Sequence, residues 1–189
     1  MKPTEILIRE HMAIRRALRI LGQICEKWQS GEGVNTDHLS QILEFIRVFS
    51  DQCHHGKEEG CLFPALVEAG VQKEGGPVGA MLMEHQMGRG YVREMGEALE
   101  QYKKGDSQSA SQFIGSAQNY MSLLEHHIMK ENNILFPMAD QVLSALKQIE
   151  ISKGFERIEE EKIGLGRHES FHALLEQLSK IYLEEIASH

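Results

Sequence analysis

Apolar residues recur along this chain at alternating steps of four and three, the spacing that keeps one face of an α-helix apolar. Leu7, His11, Ile14, Leu18, Leu21, Cys25 and Trp28 share such a seam and predict a helix from about Thr4 to Trp28, which Ser30-Gly31-Glu32-Gly33 ends. A second helix is expected from Thr36 or Asp37, either a suitable cap, to about Ala69, with Leu39, Leu43, Ile46, Ser50 and then Cys53 or His54 on its seam. Gly70 stops it, and Gly75-Gly76-Pro77 reads as a loop closing on a first-turn proline. A third helix, from about Pro77 to Lys104, carries Met81, His85, Gly88, Val92, Met95, Leu99 and Tyr102. The fourth, from about Ser107 to Lys147, carries Phe113, Ala117, Tyr120, Leu124, His127, Glu131 and Ile134, with a kink expected at Pro137. The chain should then turn near Ser152-Lys153-Gly154 and form a short helix from Phe155 to Ile163. After a loop at Gly164 and Gly166, an amphipathic helix is expected from about Arg167 to Ile186.

Strand-like alternation is almost absent. Four long helices with short connections imply an all-α fold, an up-down-up-down four-helix bundle over residues 1–150, with a C-terminal helical extension at 151–189 packed on it. A chain of 189 residues is long enough for that core. Its net charge of -8 argues against nucleic acid or an anionic membrane as partner. No apolar run approaches a membrane span, and the N-terminus lacks the pattern of a signal peptide, so a cytoplasmic location is expected. Cys25, Cys53 and Cys61 form no CxxC pair and read as buried, inert thiols.

Histidine changes the picture, with 10 residues in the chain. Two segments, His54 to Pro64 and His127 to Pro137, both read HxxKExxxLFP without a gap. Upstream, Glu10-His11 with Arg15 and Glu84-His85 with Arg89 both read EHxxxR. From His11 to His54 is 43 residues and from His85 to His127 is 42, so the chain holds a doubled unit related by an approximate two-fold axis. His and Glu at i and i+4 project from one helical face. His11, His54, Glu58, His85, His127 and Glu131 are therefore expected to meet in one core. Buried carboxylates need partners, and a pair of cations supplies them. Imidazole suits iron, zinc, copper and nickel, and carboxylates can bridge two ions. His55 and His126 fall out of register. His55 faces away from its seam, so replacing it should change little, whereas replacing Glu58 or Glu131 should release metal and lower the melting temperature. Glu10 and Glu84 fit supporting or surface roles, and Arg15 and Arg89 either pair with carboxylates near the site or are solvated. LFP fits packing that closes the bundle end. Tyr102 and Tyr120 lie on a seam but far along it.

These residues resemble the hemerythrin-like (HHE cation-binding) family, from His11 to about Pro137. The resemblance implies an oxo- or carboxylate-bridged pair of Fe ions on His11, His54, Glu58, His85, His127 and Glu131, with the glutamates bridging. The oxygen-carrying members have a further histidine on the third helix, where Arg89 stands here, and an Asp at i+5 in place of Glu131. Those departures resemble the branch containing iron–sulfur-cluster repair and iron-sensing proteins. His168 or His172, one turn apart on the last helix, is a candidate fifth histidine; the alternative is a polar edge of a packing helix. The leading expectation is a non-haem di-iron protein that binds, senses or scavenges O2, NO or peroxide. A second is a repair-like or peroxide- or NO-reducing enzyme fed by a redox partner protein. A third is an iron or zinc buffer without gas chemistry. Rossmann, P-loop and GxSxG patterns are missing.

Overall fold

The computed structural model describes residues 1–164 and 166–183. They are helical nearly throughout, with no strand among the described residues. Helix α1 spans Pro3–Gln29. Helix α2, Thr36–Phe45, is capped by Asn35, whose side chain accepts from the Asp37 and His38 amides. The expected caps, Thr36 and Asp37, are instead the first helical residues. The chain runs on helically from α2 through π-helical turns at Ile46–His55 and Glu58–Leu62 into α3, Phe63–Glu68. Helix α4 covers Pro77–Lys103. Helix α5, Ser109–Lys130, passes through another π-turn, Glu131–Leu135, into α6, Phe136–Val142. Helices α7, Ala145–Lys162, and α8, Arg167–Tyr182, complete the described chain. Ile186, the expected end of the last helix, lies outside the described residues. No helix among those described is long and apolar enough to cross a membrane.

The π-turns after Glu58 and after Glu131 occupy equivalent places in the repeat, each just ahead of Phe-Pro. Proline has no N–H, and its ring collides with the carbonyl four residues back in an α-helix. Widening the turn to the i→i+5 pattern removes that collision. The disruption expected at Pro137 takes this form, with the chain continuing helically.

Helix α4 packs along α5, α1 against α5 and α8, and α2 against α1 and α4. Helix α7 lies against both π-turns of the second helical run. The apolar interior has two parts. One holds Ile14, Phe49, Val92 and Leu124 among others, and the second holds Leu7, Leu62, Phe63, Met81, Leu135 and Phe136. Each helical run crosses between them at its histidine, so a polar layer divides the core. The leucine and phenylalanine of both LFP motifs pack in the second part.

The end of the chain differs from expectation. Ser144 caps α7 by accepting from the Lys147 amide, so the break falls there, and α7 runs unbroken through Ser152-Lys153-Gly154. The expected division at residue 150 lies inside this helix. Gly154 is no turn residue: a Cβ there would stand 2.6 Å from Cys61 Sγ. It is glycine so that α7 can approach the second run closely. Gly154→Ala should therefore cost about 1–3 kcal/mol by overpacking, although alanine is the better helix former. Denaturant unfolding should show that loss, and adding Cys61→Ala should restore most of it.

Candidate metal centre

His11 on α1, His54 and His55 at the end of the long π-turn, His85 on α4 and His127 on α5 are all buried, as are Glu58 and Glu131. Their side-chain atoms form two groups, His11, His54, Glu58 and Glu131 in one and His55, Glu58, His85 and His127 in the other, each within 4.8 Å. The two carboxylates divide themselves between the groups. Glu58 Oε1 lies 3.5 Å from His54 Nε2, and its Oε2 lies 3.3 Å from His85 Nε2. Glu131 Oε2 lies 3.2 Å from His11 Nε2, and its Oε1 lies 3.3 Å from His127 Nε2. Ligand–ligand edges around one ion with bonds of about 2.0–2.1 Å are of this length.

The back of each imidazole is held. His54 Nδ1 donates to Glu10 at 2.8 Å and His127 Nδ1 to Glu84 at 2.8 Å. His11 Nδ1 donates to the Asn132 side-chain Oδ1 at 2.8 Å and His85 Nδ1 to Glu59 at 2.7 Å. His55 Nδ1 donates to Asp51 at 3.3 Å. In a neutral ring a proton committed to Nδ1 leaves Nε2 as a lone pair aimed inward. Phe136 stacks on His11 at 5.6 Å between ring centres, and Phe63 on His85 at 5.7 Å, which fixes the ring planes. Glu10 is tied in turn to Lys57, and Glu84 to Lys130. Arg89 holds Asp51 and Glu59, whereas Arg15 pairs with Glu125 at the surface.

Nitrogen lone pairs facing carboxylate oxygens repel unless something positive lies between them. Of the nine buried side-chain polar atoms without a hydrogen-bond partner among the described residues, seven are here. They are Nε2 of His11, His54 and His55 and all four oxygens of Glu58 and Glu131. Buried groups this costly to leave unmatched fit a set of metal donors.

The titration behaviour of the protein groups agrees. Burial, and then Glu131, push the Glu58 carboxyl well above the usual range. Burial also opposes charge on Glu131, but His127 and His11 outweigh it and hold this carboxyl low. Burial resists protonation of His127, yet Glu131 and Glu84 raise it to about 9. Burial lowers His54 to about 4 and, with His85 beside it, drops His55 well below the usual value. A proton on His127 does part of what a cation would do. Glu10 stays ionised because His54 and Lys57 outweigh its burial.

All six residues expected to converge do so. His55, expected to face away, is the seventh. It is 4% exposed and stacks on His85 with ring centres 3.9 Å apart. The expectation assumed about 100° per residue. In the wider π-turn consecutive residues diverge less, and both members of the His54-His55 doublet reach the core. His126 remains outside, exposed and bonded to the Ser122 carbonyl. The structure brings neither His168 nor His172 to the centre. They lie on α8 against Phe49, and His168 approaches Glu10 and Glu159. No cysteine joins either group, and burial raises Cys25 and Cys53 to about 12.

Residues 2–139 match the family model of the hemerythrin HHE cation binding domain. The chain belongs to that family. Among its relatives are uncharacterised proteins of Mycobacterium bovis and Mycobacterium tuberculosis, 25% identical over 160 residues that cover 85% of this chain. The chain spans 62% of the length of these relatives. A hemerythrin domain binds cations, and the buried His/Glu groups are compatible with a metal site. The doublet His54-His55 carried a usable signal in sequence, since both members precede Glu58 within one turn, but only the π-turn makes both point inward.

Metal loading should displace protons. At neutral pH His127 is charged in the metal-free protein, and burial biases Glu58 towards its protonated form, so zinc added in weak buffer should acidify the solution. Apparent affinity should rise with pH and level off near the His127 value of about 9. A pH-independent affinity across that range would contradict these charge states.

Proposed function

We propose that this hemerythrin-family chain holds two iron ions inside an up-down-up-down four-helix bundle. Its members are α1, the run from α2 to α3, α4, and the run from α5 to α6. Helices α7 and α8 form an extension packed on it. His11 and His54 hold one ion, and His55, His85 and His127 hold the other. Glu58 and Glu131, shared between the two histidine groups, would serve both ions. The observation that supports this most directly is the division of each carboxylate's oxygens between two histidine groups, 3.2–3.5 Å from the facing nitrogens.

The two ions are unequally served, with two histidines on one side and three on the other. The repeat places Ile128 opposite His55, and Ile128 is fully buried. The His11/His54 side therefore keeps more room for a ligand from outside. Bound iron would supply one-electron chemistry and an open coordination position. The protein's own part is selection and positioning. Burial of every donor to 4% exposure or less admits only a small ligand. The Nδ1 hydrogen bonds keep the imidazoles in one tautomer and orientation. We read the chain as one that binds, senses or scavenges O2, NO or peroxide.

Metal content per chain, with absorption spectra taken reduced under nitrogen and then in air, tests this. Two irons and new charge-transfer bands in air are expected. Zinc alone, with unchanged spectra, would leave a metal buffer in place of gas chemistry. The histidine assignment has its own test. His55→Ala should lose about half of the bound metal, while His168→Ala and His172→Ala should retain it all. Full metal content in the His55 variant would remove His55 from the donor set.

A further inference from the structure

A cavity of about 230 Å³ lies between the long π-turn, α4 and α5, on the outer side of His55. It is smaller than the roughly 300 Å³ and more of pockets that hold drug-sized ligands. Its lining includes three arginines, Arg47, Arg89 and Arg93, and a single carboxylate residue, Asp51. That surplus of positive charge stands out on a chain of net charge -8. The walls are apolar, from Ile46 and Val92, and Tyr120 closes one side.

The arginines differ in what already holds them. Arg89 donates to Asp51 at 2.8 Å and to Glu59 at 2.7 Å, so its charge is spoken for. Arg93 is exposed and only 3.9 Å from Glu97, a weak pairing. Arg47 is exposed and makes no ion pair among the described residues. Its guanidinium lies across α4 where a Cβ on Gly96 would stand, so the missing side chain makes room for it. Two exposed arginines thus border an apolar cavity with no strong ion pair among the described residues to hold them.

We infer that this cavity is a binding site for a small monocarboxylate with a short hydrocarbon body. Guanidinium forks match carboxylates in geometry, the apolar walls take the hydrocarbon, and Asp51 disfavours a dianion. The ligand sits behind His55 rather than among the metal donors. Asp51 touches both His55 and Arg89, so occupancy is felt at the metal through the Asp51–His55 hydrogen bond. That last link rests on the proposed metal reading; binding itself does not.

Calorimetric titration of the full chain, metal as purified, with butyrate, butanol and butylamine tests the inference. Saturable binding of butyrate alone is expected. The double variant Arg47→Ala/Arg93→Ala removes only exposed side chains and should weaken it about tenfold or more, with an unchanged melting temperature. Absence of butyrate binding at millimolar concentration overturns the inference. So does equal binding of butanol, undiminished affinity in the folded double variant, or tighter binding of nitrite or phosphate. Metal content measured on the same samples separates the two readings. Metal-replete protein that ignores butyrate defeats only the cavity, and metal-free protein that binds it defeats only the iron pair.

Discussion

Two carboxylates at the centre of an apolar helical interior set the terms for everything around them. Glu58 and Glu131 are wholly buried, and none of their four oxygens has a hydrogen-bond partner among the described residues. An unmatched buried charge costs several kcal/mol, a large share of the roughly 5–15 kcal/mol by which a domain is stable. Positive charge must enter this layer for the layer to be tolerable. The apolar clusters above and below keep water out, so the match has to come from within. The layered core and the candidate donor set are one feature seen from two sides.

The doubled motif encodes more than donors. In each unit the glutamate of EHxxxR receives the Nδ1 proton of the motif histidine one helix on, and the lysine of HxxKE fastens that glutamate. The units also interlock. His11 of the first is held by Asn132 and stacked by Phe136 of the second, and His85 of the second by Glu59 and Phe63 of the first. The symmetry breaks at two places. His55 answers to Ile128, and Glu59 to Asn132. One side thus has an extra imidazole and a charged hydrogen-bond acceptor where the other has an alkyl group and an amide.

Much of this was legible without coordinates, because period and repeat are properties of the sequence. The helical runs from Pro3 and from Pro77 have nearly the predicted limits. The gapless alignment also picked His54 over His55 and His127 over His126 as repeat equivalents. What failed was the assumption of a uniform helical pitch. Three π-turns lie in the runs that carry the buried histidines and glutamates, and a repeat of 3.6 cannot follow a chain that bonds to i+5. His55 was misjudged for that reason alone. Gly154 failed differently. A glycine beside serine and lysine reads as a turn, and only a contact from a distant helix reveals that it is there for closeness. Asn35 was passed over because Thr36 and Asp37 are also good caps, and local sequence does not rank them. Arg89 paired with carboxylates beside the centre, one of the two roles open to it, while Arg15 went to the surface.

Lys57 ties the buried centre to a helix beyond the matched domain. Its ammonium is completely buried, held between Glu10, which supports His54, and Glu159 of α7, with the Phe155 ring 5.9 Å away. The family match ends at residue 139, before α7 begins. A helix outside the shared domain therefore neutralises a charge inside it. The domain that the family model describes is not, in this chain, electrostatically closed on itself. A lysine of the repeated motif takes one of its two carboxylate partners from within the motif and the other from a helix the motif does not specify.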